Sequence, residues 1–242
     1  MKKTLVTGAS GFIGQSLCET LLKSGRSTRA TVRYLSSFLS NSGIEYVPVE
    51  DITLKASWKD ILVGIDCVIH CAGRAHIMHE TKKDTLKIYR TVNVDSTKKL
   101  AEQAAKAGVK RFIFLSSVKV NGESTYNEHS DNVSNKSKKK IFTHNDIPNP
   151  EDPYAISKLE AEKVLWEISS KTDLEVTVIR LPLVYGYGVK GNLARLIKLI
   201  QSNIPLPLGK VQNQRSMIGI DNLIDLLICC IDHPDATGKT FL

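Results

Sequence analysis

Two groups of residues in this 242-residue chain could do chemistry together. Near the start, Gly8, Gly11 and Gly14 punctuate the run Val6-Thr-Gly-Ala-Ser-Gly-Phe-Ile-Gly14. Far downstream, Ser117 ends an apolar run, and Tyr154 and Lys158 follow it in Tyr-Ala-Ile-Ser-Lys. On a helix, residues four apart share a face, so the phenol and the ammonium would be neighbours. A free tyrosine titrates near pH 10 and is a poor base at neutral pH. A nearby ammonium favours the phenolate, as does an oxidised nicotinamide ring. Lowering the phenol by about three units takes about 4 kcal/mol of differential stabilisation. Two close cations in a dry site can supply that. Tyr154 then reads as a general acid/base on a reacting hydroxyl. The predicted chemistry is oxidation of an alcohol, or reduction of a ketone, next to a nicotinamide.

The glycine run is where such a dinucleotide would sit. The first glycine permits a tight turn, the second lets backbone approach a pyrophosphate, and the third lets helix and strand pack closely. Phe12 and Ile13 then open a helix whose unpaired N–H groups and positive dipole end face the phosphates. The cofactor reads as NAD or NADP. A carboxylate ending the second strand would select NAD, but the chain has Val32-Arg33 there and no acid until Glu45. Arg29 and Arg33 fall on one face of a strand with period two. An arginine suits a 2′-phosphate, so the balance leans to NADP, with dual use open.

These groups need a scaffold, and the hydrophobic pattern supplies one. Thr4 to Thr7, Arg29 to Arg33, Glu45 to Val49, Cys67 to Cys71, Arg111 to Ser116 and Glu175 to Arg180 read as strands. Phe12 to Lys23, Thr85 to Ala107 (closed by Gly108) and Tyr154 to Ser170 read as helices. The alternation predicts an α/β fold, a Rossmann-like doubly wound parallel sheet with helices on both faces. Residues 1–180 form the expected dinucleotide-binding domain and 181–242 a small, partial substrate lobe. Glu123 to Asp152 is long, polar and lysine-rich, and breaks the pattern.

Composition narrows the classes. The longest apolar stretch, Leu223 to Ile231, is interrupted by Asp225 and is too short to span a bilayer, so no membrane partner is expected. The five cysteines lack paired metal-ligand spacing and read as reduced thiols, hence a cytoplasmic protein and no metal. The formal net charge of +8 favours anionic cofactors and substrates. Lys136, Lys138, Lys139 and Lys140 contribute to it, but no aromatic residues interleave with them, so they read as a solvated loop rather than a nucleic-acid surface.

The spacing Gly-x-x-Gly-x-x-Gly, followed by Tyr-x-x-x-Lys, resembles the extended branch of the short-chain dehydrogenase/reductase superfamily. Further stretches match its motifs in order. The resemblance implies that Asp51-Ile52 holds the adenine and that His70-Cys71-Ala72-Gly73 is the strand exit beside the cofactor. Asn93 matches a helix asparagine with a structural and proton-relay role. It implies that Lys158 also holds the nicotinamide ribose. A serine or threonine five residues before a glycine bonds the reacting oxygen in this family, and with Gly122 as that glycine the match is Ser117, with Ser116 as runner-up. The stretch Arg180 to Asn192 resembles a substrate segment of the family, with Asn192 at a substrate phosphate, and Arg215 to Leu223 resembles the segment whose arginine, here Arg215, clamps a diphosphate.

Ser-Ser-Val-Lys-Val-Asn-Gly-Glu and Pro-Leu-Pro-Leu-Gly are most similar to a bacterial group of UDP-glucose 4-epimerase-like enzymes of surface polysaccharide biosynthesis. The implied substrate is a UDP-hexose or UDP-N-acetylhexosamine, turned over by a 4-epimerase or a 4-ketoreductase. The resemblance also implies a homodimer through the helices starting near Thr85 and Tyr154. Val118 and Lys119 stand where dehydratases carry two carboxylates, which argues against loss of water. The family continues past Leu242, so the substrate lobe reads as truncated. The alternative from another class is a catalytically silent NAD(P)-binding module or scaffold.

Overall fold

In the computed structural model, residues 2–35, 43–53, 56–74, 84–125, 141–202 and 214–242 are described. The lysines at 136–140 and the Pro205–Gly209 run lie outside them. Seven parallel strands form the main sheet: β1 (Thr4–Thr7), β2 (Thr28–Val32), β3 (Ile44–Pro48), β4 (Cys67–His70), β5 (Arg111–Ser117), β6 (Glu175–Leu181) and β9 (Lys239–Phe241). Their order is β3-β2-β1-β4-β5-β6-β9, so the chain reverses its direction of travel between β1 and β4. A dinucleotide cleft belongs at that switch point, beyond the strands' C-terminal ends.

The strands read as unbroken apolar runs because both faces are covered. Along β5, Ile113 and Leu115 enter the core under α1 (Phe12–Lys23) and α6 (Ile220–Asp232). Phe112 and Phe114 enter the opposite core, under α3 (Ser96–Lys106) and α4 (Pro153–Lys171). The same division repeats in β1, where Val6 faces one core and Leu5 the other. No described helix is long and apolar enough to cross a membrane.

Local signals set the helix ends. Asp152 caps α4, its side chain accepting the Ala155 N–H at 2.7 Å, and Pro153 takes the first helical position. Gly108 follows α3 at φ +77°, a left-handed conformation that costs a glycine little. The expected continuous helix from Thr85 to Ala107 is broken. It starts as α2 (Thr85–Tyr89), widens into a π-helical turn over Arg90–Asp95, and resumes as α3. The extra residue in that turn turns Asn93 inward, where it is buried.

Residues after Leu181 do not separate cleanly from the sheet. β7 (Leu183–Tyr185) and β8 (Met217–Gly219) pair with each other away from it, and α5 (Asn192–Gln201) buries none of its residues. By contrast α6 packs on α1, and β9 adds the seventh strand beside β6. Arg111 ties this return in place. Its guanidinium donates to the carbonyls of Cys230, Ile231 and His233 at 2.8–3.1 Å and to Glu175 and Thr237.

Candidate active site

The glycine turn is built by steric necessity. Gly8 has φ +69°, and a Cβ on it would meet the Ala72 backbone at 2.8 Å. A Cβ on Gly14 would meet the Gly8 carbonyl oxygen at 2.3 Å, so α1 packs directly on the turn. Gly11 is the N-cap of α1 and brings no side-chain acceptor, which leaves the first helical amides for a ligand. Phe12 and Ile13 follow, half-buried. Phe12 also underlies Gly186 and Gly188, which brings the segment after β7 against this turn.

A cleft of about 340 Å³ opens along the switch point. Gly8 and Gly11 form one wall, Cys71, Ala72 and Gly73 another, and Arg33, Asp51 and Ile52 the far end. Bare backbone on two sides, open helix amides, and a cation and a carboxylate at the ribose end fit a dinucleotide. Burial pushes the Cys71 thiol up, so it lines the wall as a neutral group. Asp51 folds on itself, accepting the Thr53 N–H at 2.9 Å.

The two arginines expected on one strand face are used differently. Arg33 lies one residue beyond β2, exposed and at the cleft. Arg29 points elsewhere: it donates to the Ile61 and Val63 carbonyls at 2.6 and 3.1 Å and pairs with Glu45 at 2.9 Å. Of the two, Arg33 lines the cleft and Arg29 does not, so the expectation of NADP rests on Arg33 alone.

At its inner end the cleft meets Asn93 and Lys158 through Gly73. A Cβ there would lie 3.2 Å from Asn93 Oδ1 and 3.5 Å from Lys158 Nζ. Asn93 accepts the Arg74 N–H at 2.8 Å and donates to the Arg74 carbonyl and to Ser157 Oγ. Ser157 in turn donates to the Tyr154 carbonyl at 2.7 Å. Asn93 thus clamps the cleft wall to α4. Behind it, His70 sits between Thr7 and Thr97, 2.7 and 3.1 Å away. Thr97 donates its own proton to the Asn93 carbonyl, so His70 Nε2 carries the hydrogen and Nδ1 accepts. Burial, then the charge of Lys158, lowers its pKa to about 3, and the ring stays neutral.

Ser117 and Tyr154 meet, their side chains hydrogen-bonded to each other. Ser116 is committed in the other direction, donating to the buried carboxylate of Glu162. The serine facing the phenol is therefore Ser117. Tyr89 touches the Tyr154 ring edge-on, with centroids 6.0 Å apart. The Lys158 ammonium is buried, donates to the Leu115 carbonyl at 2.8 Å and lies 4.6 Å from the centre of the Phe114 ring. Burial lowers its pKa to about 8, with Glu162 acting against that.

The expected low phenol pKa is absent from the protein by itself. Burial pushes Tyr154 up to about 12, opposed by the Ser117 bond. Through space the Asp152 carboxylate raises it further, and the Lys119 ammonium acts against that. The direct pull foreseen from Lys158 is thus not what the folded chain shows; that ammonium is held by the β5 backbone instead.

Sequence reasoning missed a second buried layer. Glu162 pairs with Arg180 through two contacts of 2.7 and 3.1 Å, and Arg180 also donates to Asn121 at 3.0 Å. The available signal was spacing: Tyr154, Lys158 and Glu162 recur every four residues on one helix face. Asn192 and Arg215 are not drawn into the cleft. Asn192 opens α5 and Arg215 precedes β8, both exposed.

Residues 4–241 match the NAD dependent epimerase/dehydratase family. The chain is 42% identical to a UDP-glucose 4-epimerase of Vibrio cholerae, over all of this chain and 70% of that protein. It is 28% identical to an N-acetyl-alpha-D-glucosaminyl-diphospho-ditrans,octacis-undecaprenol 4-epimerase of Escherichia coli O157:H7, over 92% of this chain and 61% of that one. The structure superposes on a UDP-glucuronic acid 4-epimerase from Bacillus cereus, solved with UDP-glucuronic acid and NAD. The TM-score is 0.82 at 26% identity, covering 98% of this chain and 76% of that chain.

Proposed function

The chain belongs to the NAD dependent epimerase/dehydratase family, and on that premise we propose that it inverts C4 of a UDP-sugar. The observation that carries this reading is the contact of Ser117 with Tyr154, one helical turn before a buried Lys158 and next to the cleft wall at Gly73. The 42% identity to a UDP-glucose 4-epimerase supports the same reaction.

Gly8, Gly11, Phe12, Ile13, Gly14, Asp51, Ile52, Cys71, Ala72, Gly73, Asn93 and Lys158 are the proposed holders of the dinucleotide. When bound, an oxidised nicotinamide supplies the acceptor for the C4 hydrogen and a positive charge. The chain does the rest. Ser117 orients the C4 oxygen by a hydrogen bond, and Tyr154 takes its proton and returns it. In the folded chain alone burial holds the Tyr154 phenol protonated, its pKa pushed up to about 12, so further positive charge is needed before it can take the C4 hydroxyl proton. Lys158 holds the ribose, and Asn192 and Arg215 contact the substrate's phosphates, where an arginine fork suits paired oxygens.

The finer reading is a UDP-hexose or UDP-N-acetylhexosamine of surface polysaccharide synthesis, handled by a cytoplasmic homodimer. NAD is the cofactor of the superposed epimerase; NADP use rests on Arg33. A 4-ketoreductase is the second reading, favoured by the same arginine, because a reductase draws on a pool of reduced cofactor.

One assay separates these. With UDP-glucose, UDP-N-acetylglucosamine or UDP-glucuronic acid and NAD, an epimerase equilibrates the C4 epimers with no net change in reduced-nicotinamide absorbance. A reductase consumes that absorbance against a 4-keto sugar, and a silent module only binds nucleotide. Tyr154→Phe should lower turnover by about 10²–10⁴-fold with cofactor affinity retained; normal turnover would remove Tyr154 from this role.

A further inference from the structure

The turn carrying Ser117 and the helix start carrying Tyr154 are joined by one side chain. Lys119 Nζ lies 2.7 Å from Asp152 Oδ2 and 2.6 Å from Glu123 Oε1. The other oxygen of Asp152 caps α4 by accepting the Ala155 N–H at 2.7 Å. The backbone N–H of Lys119 donates to Ser117 Oγ at 3.3 Å, and Ser117 bonds the Tyr154 phenol. The contacts close a ring: serine to phenol, phenol along the first turn of α4 to its cap, cap to ammonium, ammonium back to the serine's turn. Lys119 is only 28% exposed in its side chain and Asp152 19%, so the pair is partly shielded from solvent.

We propose that Lys119 is a positioning residue of the reaction, which holds the Ser117 hydroxyl against the Tyr154 phenol through Asp152 and places a second cation beside it. This rests on Tyr154 being the acid/base group. The groups facing the phenol from each packed element are few. Lys119 and Asp152 lie on its N-terminal side and Ser117 on β5. Tyr89 on α2 presents its ring with the Arg74 guanidinium 5.8 Å above that ring's centre, and Lys158 follows one turn along α4. Of these, Asp152 opposes loss of the phenolic proton, Lys119 favours it, and Tyr89 weakly opposes it. The two ends of one ion pair therefore act on the phenol in opposite senses.

That opposition provides the test. Lys119→Met, Lys119→Arg and Asp152→Asn are compared in the NAD-saturated full chain; asparagine retains the cap. Ionisation of Tyr154 is read from tyrosinate ultraviolet absorbance after subtraction of a Tyr154→Phe background, alongside the pH profile of kcat. Lys119→Met should move the phenol's titration and the matching limb of the profile up by about half a pH unit or more. It should cost about tenfold in kcat with the dinucleotide Kd unaltered, and Lys119→Arg should restore both. Asp152→Asn should move the titration down. If both bridge-breaking variants shift the phenol the same way, or neither does, Lys119 is an ordinary structural ion pair and the proposal fails. If wild type turns over no UDP-sugar, the proposed function fails, while the titrations still decide on Lys119.

Discussion

The floor beneath Ser117 and the arm formed by β7, β8 and α5 are held by opposite means. In the floor, Ser116, Asn121, Glu162 and Arg180 are all buried and bonded to one another. In the arm, α5 buries nothing, and Leu196, Ile197, Leu199 and Ile200 stand 38–59% exposed. Ser117 and Tyr154, the proposed reacting pair, are mounted on the first region. The residues proposed to meet the substrate's phosphates, Asn192 and Arg215, belong to the second. Proton transfer needs sub-ångström placement, which a packed and fully bonded base supplies. Recognition of a sugar nucleotide tolerates an element of lower local stability.

Breaking the floor should have the largest effect. Arg180→Met strands the Glu162 carboxylate in the core, and should destabilise the fold by about 3–5 kcal/mol in chemical denaturation. A loss below about 1 kcal/mol would mean that water reaches this network. Next is Lys158→Met. It removes a buried charge whose pKa is depressed to about 8, so turnover should vanish while the thermal midpoint holds or rises. A fall in midpoint would show that the ammonium's bond to Leu115 outweighs its desolvation.

His70, buried behind the cleft wall between Thr7 and Thr97, gives the core a pH signature. Its folded pKa, about 3, lies below the ordinary 6.5, so the unfolded chain binds the extra proton between these values. The His70 contribution is complete above about pH 6.5 and is lost as pH falls toward 3. His70→Gln should flatten that part of the stability–pH curve; an unchanged slope would place the ring in contact with water. The smallest stability effect belongs to the arm. Ile200→Glu should change global stability by no more than about 0.5 kcal/mol. A larger loss would show that α5 is covered in solution and would erase the contrast. Arg33→Asp tests the cleft's far end without touching either region: the NADP-to-NAD affinity ratio should fall, and a constant ratio would reject Arg33 as the ribose reader.

The sheet was legible wherever physics forces a pattern on composition. Phe112 to Leu115 is apolar at every position because two cores flank it, and Asp152-Pro153 announces α4 by its capping chemistry. The π turn at Arg90–Asp95 was not legible, since one added residue leaves helical composition unchanged. Nor were β7 and β8, at three residues each too short to show a period. Within the site, the Tyr154–Lys158 spacing foretold a shared face, but not that the Leu115 carbonyl would claim the ammonium. Lys119 reaches Asp152 across 33 residues, a contact only the folded chain creates. Arg29 failed as a cofactor reader for the same reason, because Glu45 and the Ile61 and Val63 carbonyls come to it through the fold.

Arg111 has a bearing on how the chain is made. Its guanidinium is buried at the head of a central strand, and apart from the Glu175 carboxylate the groups that satisfy it belong to residues 230–237. During synthesis the strand exists long before those acceptors, and a buried guanidinium lacking them is costly. The nascent sheet must then keep this edge wet until the closing helix arrives. Final consolidation of the sheet is thereby deferred until residues 230–237 have been translated, even though most of its strands are complete far earlier.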